Sequence, residues 1–131
     1  MKRAPLKRDD LIFPELSYEI IGCAYEVFNE IGFGFKESVY QKAMAIALKE
    51  KNIPFREQVY HEVKFKNEIL AKRFFDFIVE EKIIVELKRD DKFSKANIDQ
   101  TIDYLKTSKL KLALLINFGR ERVVYRRLIN P

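Results

Sequence analysis

The strongest constraint on the fold lies between Phe74 and Lys88, "FFDFIVEEKIIVELK", where two apolar runs flank a short charged stretch. Runs of branched and aromatic residues this short, bounded by charges, read as buried β-strands. Each run nevertheless holds charge, Asp76 in the first and Glu86 with Lys88 in the second. Residues two apart on a strand share a face, so Glu86 and Lys88 project together with Ile84, while Ile83, Val85 and Leu87 face the other way. The turn decides whether Asp76 joins them. An odd-length loop centred on Glu81 sets Asp76 opposite Glu86, whereas a two-residue turn at Glu80 and Glu81 sets it against Val85, on the other face. We expect the odd loop and the convergence of all three charges.

The flanking segments supply the rest of the architecture. From Pro14 to Ile31, Leu16, Ile20, Ala24, Val27 and Ile31 recur at helical spacing, and Gly32 and Gly34 end the helix. A second helix from Glu37 carries Val39, Ala43, Ile46 and Ala47 on its expected core face, and Asn52 with Pro54 closes it. Phe55 to Lys66 alternates as a strand with Val59, Val63 and Phe65 on one face, and "KNE" turns it into a second strand. With "KIIVELKR" these make a three-stranded antiparallel meander. Ser94 is expected to cap a third helix bearing Ile98, Ile102 and Leu105 on one face. "LKLALLINFG" then reads as a buried strand and "RVVYRRLI" as an alternating one. The order ααβββαββ predicts an α/β fold, a mixed sheet covered by helices.

At 131 residues, 47% of them hydrophobic, one domain is expected over 14–131, burying roughly two thirds of its unfolded surface. A flexible basic arm is expected at 1–13. Lys and Arg total 25 against 20 acidic residues, and the net charge of +5 favours polyanionic partners. Arg120, Arg122, Arg126 and Arg127, with Arg89, Lys92 and Lys95, form a candidate phosphate-binding surface. No apolar stretch approaches a membrane span or a signal peptide, so no membrane association and a cytoplasmic location are expected. The single cysteine, Cys23, excludes an internal disulfide and reads as a small buried hydrophobe. The single histidine, His61, reads as a surface residue and leaves no Cys/His zinc cluster. Any metal must then be held by carboxylates.

Two adjacent, partly buried carboxylates repel each other and lose hydration, so they persist only with a compensating cation. Lys88 is one such cation and a divalent metal is another. Oxygen donors without histidine or thiolate favour magnesium or manganese. The competing reading is a Glu–Lys pair and an unrelated Asp on a solvated face. Burial of the apolar residues before Glu86 argues against it.

Asp76, nine intervening residues, Glu86, one residue and Lys88 together resemble the D-x(n)-E-x-K signature of the PD-(D/E)XK nuclease superfamily, whose core is restriction-endonuclease-like. "GFKESVY", Gly34 to Tyr40, resembles the G-x-x-E-x-x-Y pattern of a small family within it, and "QTIDY", Gln100 to Tyr104, resembles a Q-x-x-x-Y helix motif of its exonuclease-like branch. Phe75, where many members carry proline, precedes Asp76. The resemblance implies a Mg2+ (or Mn2+) ion on Asp76, Glu86 and the Leu87 carbonyl, with Glu37 joining through water or bracing the other ligands. It implies that Lys88 orients the attacking water and offsets phosphate charge. Gln100 and Tyr104 would support the site and, with Lys92 and Lys95, contact nucleic acid.

The activity so implied is a nuclease, a phosphodiesterase acting on nucleic acid with DNA the expected polymer, assisted by a homodimer partner or another protein. A silent nucleic-acid- or protein-binding module of the same fold is the alternative. A small structural subunit with a buried ion network is a third reading. On residues alone, Glu37 in a first helical turn equally complements the helix dipole, and Tyr40 and Tyr104 equally serve as core aromatics.

Overall fold

The computed structural model describes residues 12–89 and 93–130, so the expected arm at 1–13 lies almost wholly outside the described residues. Its elements are α1 (Pro14–Ile31), α2 (Glu37–Glu50), β1 (Phe55–Phe65), β2 (Glu68–Val79), β3 (Ile83–Lys88), α3 (Lys95–Ser108), β4 (Leu112–Phe118) and β5 (Val123–Ile129). One five-stranded sheet runs in the order β1-β2-β3-β4-β5, antiparallel except for the β3–β4 pair. That parallel step is the one that needs a crossover, and α3 supplies it. The fold is the expected mixed sheet with helices on both faces.

Local chemistry explains the boundaries. Ser94 caps α3 by accepting from the Asn97 N–H at 3.0 Å, and the Asn97 side chain returns a bond to the Ser94 N–H, a reciprocal capping box. Lys66 and Asn67, both at positive φ, form the two-residue turn between β1 and β2. Between β2 and β3 the loop has three residues, with the Lys82 N–H bonding the Val79 carbonyl. Its pairs, Val79 with Ile83, Ile78 with Ile84 and Phe77 with Val85, centre on Glu81.

The sheet separates two cores. Side chains of α1, α2 and the strand residues Phe77, Val79, Ile83, Val85 and Leu87 contribute to the larger, which includes Ile20, Val27, Tyr40, Met44 and Leu48. A smaller one beneath α3 joins Phe75, Ile78, Ile84, Tyr104, Leu105, Ala113 and Leu128. On α2 the expected face is corrected. Val39 and Ile46 are exposed and Tyr40, Met44, Ala45 and Leu48 are buried, while of the expected residues Ala47 is buried and Ala43 packs against the core. Adjacent apolar stripes on this helix have similar hydrophobicity, and the stripe carrying the large Tyr40 and Leu48 buries more area. Cys23 is buried, as expected. No helix among the described residues is long and apolar enough to cross a membrane.

Candidate active site

At Asp76 the sheet changes character. Phe75 belongs to the core beneath α3 and Phe77 to the opposite core, although residues two apart on a regular strand share a face. Alternation therefore breaks at Asp76. Across β1, the paired residues pass from Glu57–Phe77 to Val59–Phe75 and skip Gln58, whose φ of 46° lies in the left-handed region. Such backbone in a non-glycine residue costs on the order of 1 kcal/mol and persists only where its surroundings impose it.

Where the β2–β3 ladder stops, the two carboxylates continue it. The Asp76 N–H donates to Glu86 Oε1 at 3.0 Å, and the Leu87 N–H donates to Asp76 Oδ2 at 2.8 Å. Each acid thus binds the other strand's main chain, and Asp76 and Glu86 meet as the odd loop requires. Glu86 is buried at 6% exposure, and Lys88 is half-buried and close enough to act on the charge of both acids.

Burial, with the negative charge of Asp76 second, pushes Glu86 up to about 8, against the Asp76 N–H bond and Lys88. Burial also raises Asp76, opposed by the Leu87 N–H, Lys88 and the Gln58 side chain. Tyr104 is pushed up to about 12, first by burial and then by Glu86. The hydroxyl of Tyr104 therefore belongs to the electrostatic neighbourhood of the acids. The pair is short of positive charge, and its donors are all oxygens, which suits a hard divalent cation. Among the described residues no three His, Cys, Asp or Glu side chains form a ready cluster, and the described carboxylates that meet here are those of Asp76 and Glu86.

Around this centre the other expected residues divide. Glu37 opens α2 and adds negative potential at Glu86. Gln100 is exposed on α3, and Lys95 is exposed and paired with Asp99 at 3.2 Å. Lys92 lies outside the described residues. Arg127 is corrected from phosphate-facing to structural, because it donates to Ser17 Oγ at 2.7 Å and to the Ile12 carbonyl at 2.6 Å.

Two glutamines were not foreseen. Gln58 Nε2 donates to Asp76 Oδ1 at 3.3 Å and to Gln41 Oε1 at 2.8 Å, which ties α2 to the first acid. Gln41 follows Glu37 by one helical turn, a spacing that was readable, but the positive φ that turns Gln58 toward Asp76 was not.

The comparisons with known proteins agree with this geometry. The sequence matches the PD-(D/E)XK nuclease superfamily over residues 14–128. The chain belongs to that superfamily. Asp76 on β2 and Glu86 on β3 stand at the spacing that resembles the D-x(n)-E-x-K signature, and members of the superfamily generally use divalent metals. A solved structure titled "Crystal structure of SSO0001" is similar in fold, with a TM-score of 0.55 at 16% identity, over 72% of this chain and 50% of that one. This chain thus spans about half the length of that structure. No match is found among curated proteins.

Proposed function

We propose that this PD-(D/E)XK protein is a magnesium- or manganese-dependent phosphodiesterase acting on nucleic acid, with DNA the expected polymer, and that it belongs to the GxxExxY group. The reciprocal bonding of Asp76 and Glu86 across the end of the β2–β3 ladder carries this reading. It holds a buried and a half-buried carboxylate side by side beside one lysine, an arrangement costly for stability and suited to a cation and a phosphate.

Asp76 and Glu86 would hold the ion. A strand residue presents its N–H and carbonyl to the same edge, so the Leu87 carbonyl opens toward Asp76 as its N–H does. A divalent cation there would acidify water and offset phosphate charge. Lys88, from the same face of β3, orients the water and stabilises charge developing on the phosphate. Glu37 braces the acids from α2, and Tyr104 bounds the site from α3. Gln100, Lys95 and Lys92 contact the nucleic-acid backbone.

The GxxExxY assignment has its own support. Gly34 sits at φ +110°, a conformation L side chains rarely adopt, and Tyr40 donates to the Gly32 carbonyl at 2.6 Å while stacking on Phe118 at 4.2 Å. Glycine turns the loop and tyrosine clamps it, which fixes where Glu37 starts α2. A homodimer or a partner protein completing a duplex-binding surface is part of the same proposal.

Cleavage of single-stranded, duplex, nicked and branched DNA and of RNA, with Mg2+ or Mn2+, tests the reading beside Lys88→Ala and Glu86→Ala. We expect at least one DNA substrate to be cut and each variant to lose about 10²- to 10³-fold or more in rate. Metal-dependent binding without cleavage of any substrate would replace the nuclease with the binding module.

A further inference from the structure

β1 and β2 run past the end of β3 as a two-stranded ribbon, and its α3-side face carries His61 directly opposite Arg73. Both are half-buried. His61, expected on the surface, instead stacks on Phe75 at 5.5 Å, and Phe75 packs on Tyr104 at 4.7 Å. A row of rings thus links His61 to the tyrosine beside the acids. Arg73 lies three residues before Asp76, about 10 Å along an extended strand.

Neither residue is satisfied. His61 Nε2 and Arg73 Nε are buried without a hydrogen-bond partner, the two such side-chain atoms among the described residues. Arg73 has no carboxylate partner there, and its Nη1 folds back onto the Lys72 carbonyl at 3.2 Å. Within the half-buried Arg73 side chain the Nε atom is itself buried, and an unpaired buried donor is destabilising by about 1–3 kcal/mol. Basic side chains directly opposite each other on a ribbon also repel when both are charged. One ligand relieves all of this, an anion accepting from both nitrogens. The folded-back guanidinium has no ion pair to break in swinging out to meet it.

We propose that Arg73 and His61 form an anion-binding pair that takes a backbone phosphate neighbouring the one at Asp76, Glu86 and Lys88, so that the ribbon sets where the strand is cut. The identity of the anion rests on the nuclease reading, whereas the site itself does not. Arg73 suits the role because its planar fork matches phosphate oxygens.

His61 is the chain's single histidine, so its imidazole NMR signals report on this pair without ambiguity. Titration with inorganic phosphate and with a short single-stranded oligodeoxynucleotide is expected to move those signals saturably. Arg73→Gln should weaken both titrations about tenfold and lower the salt dependence of oligonucleotide binding by about one counterion, with Arg73→Lys intermediate; an unchanged backbone amide spectrum shows that each variant is folded. Signals that move with neither probe, or that titrate alike in wild type and Arg73→Gln, overturn the pair. Movement with phosphate alone overturns its assignment to the substrate strand. A protein that cuts no nucleic acid but whose His61 still titrates with both probes sinks the nuclease reading and with it the role of the ribbon in cleavage, and leaves the anion-binding pair standing.

Discussion

The two faces of the sheet are built on different terms. The core that α1 and α2 share with the sheet joins twenty-one buried hydrophobic residues, and the buried polar residue on these helices among those described is Ser17, whose hydroxyl accepts from Arg127. Against α3 lie seven, and the face that α3 covers also carries Glu86, the charged residue buried among those described. The first face is mostly hydrocarbon, and its burial contributes most of the hydrophobic stabilisation. The second is thin enough to leave a polar seam between α3 and the β2–β3 junction. A small domain can tolerate paired acids there because the other face carries most of the stability.

The largest test of this contrast sets Phe118→Ala against Tyr104→Phe. Phe118 is fully buried and stacks on Tyr40, so truncation should cost about 3–5 kcal/mol by chemical denaturation. Removing the Tyr104 hydroxyl keeps its packing on Phe75 and should change stability by less than about 1 kcal/mol, while lowering cleavage. Equal destabilisation by the two substitutions would show that both faces are structural and dissolve the distinction.

Next in size is the pH dependence of stability without metal. The folded value for Glu86 is about 8 and the ordinary value 4.5, so the folded state binds this proton more tightly than the unfolded chain does. Its contribution is therefore full below about pH 4.5 and is lost as pH rises through 8, the reverse of a salt-bridged acid. Thermal melts of the wild type should fall relative to Glu86→Gln across that window, by an amount on the order of a few kcal/mol. Millimolar Mg2+ or Mn2+ should restore the wild type toward neutral pH and leave the variant unmoved. Parallel melting curves for the two proteins at all pH values, with and without metal, would remove the charged seam from the comparison.

Much of this contrast was written in the residue pattern. Alternation in "IIVELK" separated Glu86 from Val85 and Leu87, and the odd loop at Glu81 predicted that Asp76 would meet it. The helix order and the Ser94 cap followed from spacing and side-chain chemistry. What stayed hidden depends on backbone angles or on choices between similar stripes. Nothing in "REQVYHE" announces a left-handed Gln58, and without the break at Asp76 the placement of His61 over Phe75 and toward α3 is not readable. On α2, Val39 with Ile46 and Tyr40 with Leu48 are both plausible apolar faces. The hydroxyl bond from Tyr40 to Gly32, a tertiary contact, accompanies the second.

The smallest expected effect isolates the strain at the boundary between the faces. Gln58 holds a left-handed φ of 46° in mid-strand while its side chain bonds Asp76 and Gln41. Gln58→Ala removes those hydrogen bonds and keeps the unfavourable backbone, whereas Gln58→Gly removes both, because glycine enters this region without a Cβ clash. The two variants share the lost contacts, so their difference reads the strain. Glycine's greater freedom in the unfolded chain works against it by somewhat less than the clash it relieves. Glycine should therefore be the more stable of the two by about 0.5–1 kcal/mol in urea denaturation, with both cutting more slowly than wild type for want of the Asp76 contact. If alanine is the more stable, Gln58 is not strained in solution, and the break in alternation at Asp76 is set by the acids themselves and not imposed from β1.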